Sequence, residues 1–387
     1  MWQELFSRIY ILKAISSFLR MVTLFGIPLI FVNNDEFIIY GVNLPILTSI
    51  TLISGLGFPV ELTKQLGFGK ISIPQYRGAI LPIHVISTVI IILATRQINP
   101  DLKYILFIPL FLYVITEVLI TDSLRQHQVV SNYKSHIILS SVKSIASFTL
   151  VVAILLLGEK ITFTQFLLFN SAINFIIILG FKILRALAFK DNYRLYNKGV
   201  MLSSCFYFLV YLVDRYLISF DKLILSDWIL ESNLKLLLII YPLYSATYSF
   251  IEGTFFIRLY NQVLKQKTTL TFFIKNLLNI SLLSVPSALL IYLYLDINFH
   301  ELNTHFLYLL ITIFLYLLLS GMSWYVSTMN YGSARPSIFL ILSGLVGLIY
   351  ITGLFVLKYL NINLNPMIFL LLLPLVTMSV NSIYRIR

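Results

Sequence analysis

The chain is 387 residues long, 59% hydrophobic and only 11% charged, with a mean hydropathy of +0.90. Soluble domains are about 45–50% apolar, so these values exclude one and specify a polytopic helical membrane protein. Continuous rather than alternating apolar runs exclude a transmembrane barrel, and the net charge of +12 reads as membrane topology, not as a nucleic-acid footprint.

Twelve runs are long enough to be read as spans, at about 20 apolar residues per ~30 Å of hydrocarbon. They are Ile9–Phe31, Phe37–Val60, Ala79–Ala94, Tyr104–Thr121, Ile137–Gly158, Phe163–Phe181, Gly199–Phe220, Leu234–Ile257, Leu270–Leu295, Phe306–Val326, Ile338–Val356 and Pro366–Val380. The third and twelfth are short, which leaves eleven spans open as an alternative. Lys13 and Arg20 interrupt the first run and no small-residue cleavage site follows it, so it reads as a retained span and not a signal peptide. Cys205 is the only cysteine, which rules out an internal disulfide, and its place in an apolar run reads as packing.

Most Lys and Arg residues fall at the termini and in the even-numbered connections. The odd-numbered ones hold only Arg96, Lys103, Lys160, Lys222, Lys235 and Lys358. The positive-inside rule then places both termini in the cytoplasm. The longest basic connection, residues 182–198, divides the chain into an N-terminal lobe, 1–181, and a C-terminal lobe, 199–387. Both lobes open on a Ser-Ser pair (Ser16-Ser17 and Ser203-Ser204), and both second spans close on a glycine-containing, then basic segment (SGLGFPVELTKQL and EGTFFIRLYNQVL). The expected fold is therefore all-α, about twelve transmembrane helices in two six-helix lobes around a central cavity.

Met201 to Gln262 is the stretch around which the chain is organised. Its first span carries Ser204, Tyr207, Tyr211, Asp214 and Arg215 at three- and four-residue steps, and its second carries Tyr241, Ser245, Tyr248 and Glu252 likewise, so each forms a polar stripe along a helix. A charge at membrane depth costs about 2.5–3.5 kcal/mol on the mildest scale, which points such groups at a polar cavity or a partner. Helix-to-helix hydrogen bonding is the structural alternative for the stripes. Within the spans Lys13, Arg20, Lys143 and Arg215 stand against Glu117, Asp214 and Glu252, a weakly cationic balance. Glu117 and Lys143 read as an interhelical pair, and His84 as a satisfied packing residue. Pro28, Pro45, Pro59, Pro242 and Pro286 are candidate hinges. No spacing suits a metal, no P-loop occurs and no nucleophile–base set stands out, so neither a cofactor nor an enzymatic reaction is expected.

The segment VDRYLIS, its acidic linker, and LLIIYPLYSATYSFIEGTFFIRLYNQ resemble spans seven and eight of Wzx-type polysaccharide flippases. The opening AISSFLRMVTLFGIPLIF…GLGFPVELTKQL is similar as well. That superfamily also holds drug/cation antiporters of the multidrug-and-toxin-extrusion type and the peptidoglycan-precursor flippases. The resemblance implies a cargo, a polyprenyl-diphosphate-linked oligosaccharide, carried to the outer leaflet of a bacterial inner membrane, and implies a polysaccharide polymerase and chain-length machinery as partners. For a diphosphate, Arg20 offers a planar bidentate fork near mid-membrane. Lys13 assists nearer the cytoplasm by similarity to the peptidoglycan-precursor flippases, or else snorkels to the interface. Arg215 is a further cationic contact. Tyr207, Tyr211, Tyr244 and Tyr248 are the candidate glycan contacts. Glu252 and Asp214 are the candidates for ion or proton coupling, with Asp214 alternatively fixing a basic residue of another span. A drug/cation antiporter on the same fold is the rival reading. A membrane polysaccharide polymerase is a weaker one, since the longest external connection, Asp221–Asn233, is short and acidic.

Overall fold

The structure is a computed structural model that describes residues 2–130, 132–184, 196–251, 263, 269–299, 305–333, 336–360 and 365–386. Among them every extended element is a helix, apart from one parallel bridge between Phe31 and Ile161. The chain divides into two compact units, residues 1–220 and 221–387.

The first unit contains α1 (Trp2–Ile30), α2 (Asn34–Ile53), α3 (Phe58–Gly67), α4 (Ile73–Ile98), the short α5 (Pro100–Tyr104), α6 (Phe107–Val129), α7 (Tyr133–Leu157), α8 (Phe163–Gly180) and α9 (Lys198–Tyr211). α9 runs on through a π-helical turn, Leu212–Leu217, and a short 3-10 turn, Ile218–Phe220. α6 is the hub: α2, α4, α7 and α8 all pack on it, while α1 lies along α7. Polar caps set the helix starts. The Asn33 side chain accepts the Glu36 amide at 2.9 Å, and Thr162 and Gln165 satisfy each other's amides at the start of α8, worth about 1 kcal/mol per cap. At one end of the unit Phe31, Phe37, Tyr40, Phe163 and Phe166 form a ring cluster with centroids 5.1–6.3 Å apart. The Glu36 carboxylate caps it by accepting the Phe163 amide at 2.7 Å.

The second unit contains α10 (Asp221–Ser226), α11 (Glu231–Ile251), α12 (Leu270–Ser281), α13 (Ser284–Asn298), α14 (Phe306–Ser333), α15 (Pro336–Tyr359) and α16 (Pro366–Ile386). α14 is its centre, packed against α12, α13 and α16, and α10 tucks against α11 and α15.

Among the described residues nine helical stretches are long and apolar enough to cross a membrane. The apolar stretches Phe18–Ile30 and Ile368–Ser382 and helix α11 fall on three further expected spans. The protein is thus a polytopic all-helical membrane protein with helices at all twelve expected positions. Four details differ from the sequence reading. The second span stops at Ile53, because Leu56 and Gly57 turn left-handed (φ 51° and 79°) before Pro59 starts α3. The ninth breaks between α12 and α13, just before Pro286. Pro28, Pro45 and Pro242 sit inside continuous helices. The expected polar linker after Phe220 opens instead with a helix, α10, whose Asp221 and Lys222 are buried.

Candidate functional site

The first unit holds a cavity of about 170 Å³ where two backbone irregularities meet the helix α6. The break between α2 and α3 contributes Leu52, Gly57, Pro59 and Val60, α6 contributes Arg125, and the seventh span contributes Tyr211 and Arg215. Each irregularity has a local cause. At Gly57 the positive φ and the approach of the seventh span both demand glycine, since a Cβ would lie 2.0 Å from the Ser204 carbonyl oxygen. In the seventh span the ladder widens at Leu212–Leu217, and π turns of this kind recur at functional sites. The Tyr216 hydroxyl, buried in that turn, meets Thr95 of α4 at 2.6 Å and anchors it.

A buried polar chain backs the cavity. Ser54 Oγ lies 3.0 Å from His84 Nδ1, and His84 Nε2 lies 2.6 Å from Asp122 Oδ2. Arg125 then donates to the other carboxylate oxygen at 3.3 Å. His84 is 1% exposed and Asp122 6%. One turn on, Gln126 Oε1 accepts from Arg77 Nε at 2.9 Å.

Beside the cavity, the Lys64 ammonium of α3 donates to the Tyr207 hydroxyl, sits 4.6 Å from the centre of that ring and pairs with Glu61 at 3.4 Å. Burial works against the Lys64 charge, but the bond to Tyr207 and the Glu61 carboxylate outweigh it and hold the ammonium above the ordinary lysine range.

The structure brings two sequence-derived candidates, Tyr211 and Arg215, together on this cavity. Arg20 is exposed on α1, interacts electrostatically with Tyr40, and does not line it. Lys13 and Asp214 lie within helical segments whose backbone alone is described there, and Glu252 lies outside the described residues. Tyr207 is buried with its hydroxyl engaged by Lys64. In the second unit Tyr248 donates to the Ser320 carbonyl at 3.3 Å, and Tyr244 meets Thr312 at 2.8 Å. The expected Glu117–Lys143 pair is present between α6 and α7, with Asn174 donating to the second Glu117 oxygen at 2.9 Å. His84 is satisfied, as expected.

Sequence reasoning missed Asp122 and Arg125 by ending the fourth span at Thr121. The readable signal was the helical spacing of Asp122, Arg125 and Gln126, which lines up one polar face on a continued helix. It also missed a second buried cluster, in the second unit. There the Lys222 ammonium contacts both Asp221 oxygens at 2.8 and 3.0 Å and covers the Tyr241 ring at 4.1 Å, while the Tyr350 hydroxyl donates to Asp221 at 3.2 Å.

Chemically, two guanidiniums and a phenol around one hollow can hold an oxyanion. Among the described residues no group of His, Cys, Asp or Glu is arranged to hold a metal ion.

No family model and no curated protein matches the sequence. The fold has clear counterparts among solved structures. A crystal structure of a MATE point mutant superposes with a TM-score of 0.57 at 13% identity, covering 97% of this chain and 93% of that one. An outward-facing multidrug resistance MATE family transporter of the MOP superfamily gives 0.57 at 15% identity, over 98% and 94%. An inward-facing conformation of such a transporter gives 0.53 at 12%, over 94% and 92%. The chain therefore has the fold of MATE transporters of the MOP superfamily.

Proposed function

We propose that this chain is a flippase that moves polyprenyl-diphosphate-linked oligosaccharide repeat units, of the O-antigen or capsule type, from the cytoplasmic to the periplasmic leaflet of a bacterial inner membrane. The observation that carries this reading is the convergence of Arg125, Arg215 and Tyr211 on one cavity. A diphosphate cannot cross bare hydrocarbon and needs a hydrated cationic niche. The cavity's volume is on the scale of a phosphate group and far above the ~10–15 Å³ that holds one water. A cationic drug would meet like charge there, which favours the flippase over the drug exporter. The polyprenyl tail stays in lipid, and the two lobes alternate in opening to either side.

The other candidates keep proposed roles within this reading. Arg20 and Lys13 offer cations along the first span, Tyr207 and Tyr248 are kept as candidate glycan contacts, and Glu252 and Asp214 as candidates for coupling transport to an ion or proton. The distribution of Lys and Arg supports cytoplasmic termini.

Complementation of a bacterial strain that lacks its own repeat-unit flippase tests the proposal. Wild-type protein should restore surface polysaccharide, whereas Arg125→Ala and Arg215→Ala should accumulate in the membrane and fail. Full surface polysaccharide from both variants, or resistance to ethidium without any polysaccharide export, would refute it.

A further inference from the structure

We infer that the second unit carries a binding niche for the hydroxyl-bearing edge of a sugar, formed around Asp221, Lys222, Tyr241, Tyr316 and Tyr350. As a glycan contact during transport it rests on the flippase reading; as a sugar site it rests on the second unit alone.

Five helices build the niche. α10 brings Asp221 and Lys222, α11 Tyr241, α14 Tyr316, α15 Tyr350, and α16 Leu370 and Pro374. The hollow between them is partly open and about 40 Å³ in volume. At about 10–15 Å³ per water, a vicinal diol or a hydroxymethyl group enters, and the rest of a sugar ring stays outside. With cytoplasmic termini, as proposed, these positions fall between the outer end and the middle of their spans, on the side where a glycan leaves.

The polar groups decide what fits. Asp221 Oδ1 accepts the Lys222 amide at 2.7 Å and its ammonium at 2.8 Å. Oδ2 accepts the same ammonium at 3.0 Å and the Tyr350 hydroxyl at 3.2 Å. The roughly four acceptor sites of the carboxylate are thus taken, and its charge is matched by Lys222. A cation finds no ligand in it, and an anion meets a carboxylate beside the one ammonium. What remains is neutral hydrogen-bonding capacity. Lys222 has three N–H groups and spends two on Asp221, leaving one beside the Tyr241 ring, whose centre lies 4.1 Å away. The Tyr350 hydroxyl donates to Asp221 and keeps its own lone pairs for a donor. Pro374 sits inside α16 with no N–H to give the Leu370 carbonyl one turn back, and both residues line the hollow. One donor and two acceptors therefore stand over one small space. A hydroxyl both donates and accepts, and the Tyr241 and Tyr316 rings offer apolar faces to the C–H side of a sugar.

Trp228 supplies the assay. It is one of three tryptophans in the chain, and its ring meets Phe369, which lines the niche, edge to face at 5.5 Å. Purified full-length protein, in a detergent without sugar head groups, is titrated with methyl α-D-glucopyranoside, galactopyranoside and mannopyranoside in turn. At least one should change tryptophan fluorescence saturably in the millimolar range, and Trp228→Phe should abolish the change. Tyr350→Phe should weaken binding about five- to tenfold, the loss of one hydrogen bond. Leu373→Phe, which fills the hollow from α16, should abolish it. Sulfate, a probe of the cationic cavity in the first unit, should bind both of these variants by calorimetry as it binds wild type, which shows that they fold. No response to any of the three glycosides, a response that survives Trp228→Phe or Leu373→Phe, or the same response on replacing choline chloride by sodium chloride would overturn the niche. Restored surface polysaccharide without glycoside binding would overturn the niche and leave the flippase standing. Glycoside binding without sulfate binding would leave the niche standing and overturn the anion reading of the first unit.

Discussion

Replacing Gly57 by alanine tests the geometry on which the cavity depends. Two costs are separable in the structure. The first is conformational: φ at this position is +79°, and an L-residue held left-handed costs about 1–2 kcal/mol. The second is steric. The new Cβ would sit 2.0 Å from the Ser204 carbonyl oxygen and 2.9 Å from the Phe208 amide nitrogen. Both are backbone atoms of the seventh span, so no side-chain rotation relieves the clash, and the span must retreat by about an ångström. Overpacking of this kind costs about 1–3 kcal/mol, which brings the total to about 2–5 kcal/mol. Gly69 supplies the control. It too is left-handed, φ +68°, but its Cβ would meet nothing within 4 Å, so Gly69→Ala should show the conformational cost alone. Thermal unfolding in detergent, read by intrinsic fluorescence, should rank wild type above Gly69→Ala and Gly69→Ala above Gly57→Ala. Gly57→Ala should also lose sulfate affinity, because Tyr211 and Arg215 ride on the displaced span. If the two variants were equally stable, the close packing of the α2–α3 turn on the seventh span would be wrong.

Glu117→Ala should destabilise the protein by up to about 3 kcal/mol, because it leaves the Lys143 ammonium and the Asn174 amide without their acceptor; the pair is partly exposed, so the upper end of the range for broken buried pairs does not apply. Glu117→Met with Lys143→Met should recover most of that loss in a double-mutant cycle of unfolding midpoints. Asp221→Asn and Lys222→Met should each cost about 3–5 kcal/mol, since these two residues lie only 6% and 5% exposed and removing either leaves a buried charge; unchanged midpoints would show that water reaches the pair. Glu36→Ala should remove the acceptor of the Phe163 amide, bonded at 2.7 Å, at a cost of about 1–3 kcal/mol, with faster hydrogen exchange confined to the start of α8.

The membrane architecture was legible because hydrocarbon thickness fixes span length, and apolar runs of that length can be counted. The Glu117–Lys143 pair was legible from two ionisable residues on neighbouring spans with no other use. What the sequence did not show was where helical periodicity fails. The π turn at Leu212–Leu217 shifts every later side chain around the helix, so a stripe drawn from Ser204 to Arg215 at constant pitch cannot say how Arg215 is aimed. Arg125 was hidden for a different reason: a cluster of polar residues after Thr121 reads as a loop on composition, yet α6 continues to Val129 because those residues bond one another and their neighbours. Asp221 and Lys222 were hidden by the same habit, since a charged pair beside a span end is ordinarily solvated.

The failures in the first unit fall together in space, and membrane physics gives a reason. Non-helical or widened backbone at membrane depth leaves amide and carbonyl groups that lipid cannot satisfy, so it persists only where protein buries it or a polar cavity receives it. The left-handed turn at Leu56–Gly57 and the π turn at Leu212–Leu217 are two such places, and both border the cavity that Arg125 also lines. Each irregularity would be a liability alone. Side by side they share one hollow, and the buried chain from Ser54 through His84 and Asp122 supplies hydrogen bonds behind it. In the proposed reading these two turns are where the fold admits an anion, and restoring helical regularity at either should close the site before it unfolds the protein.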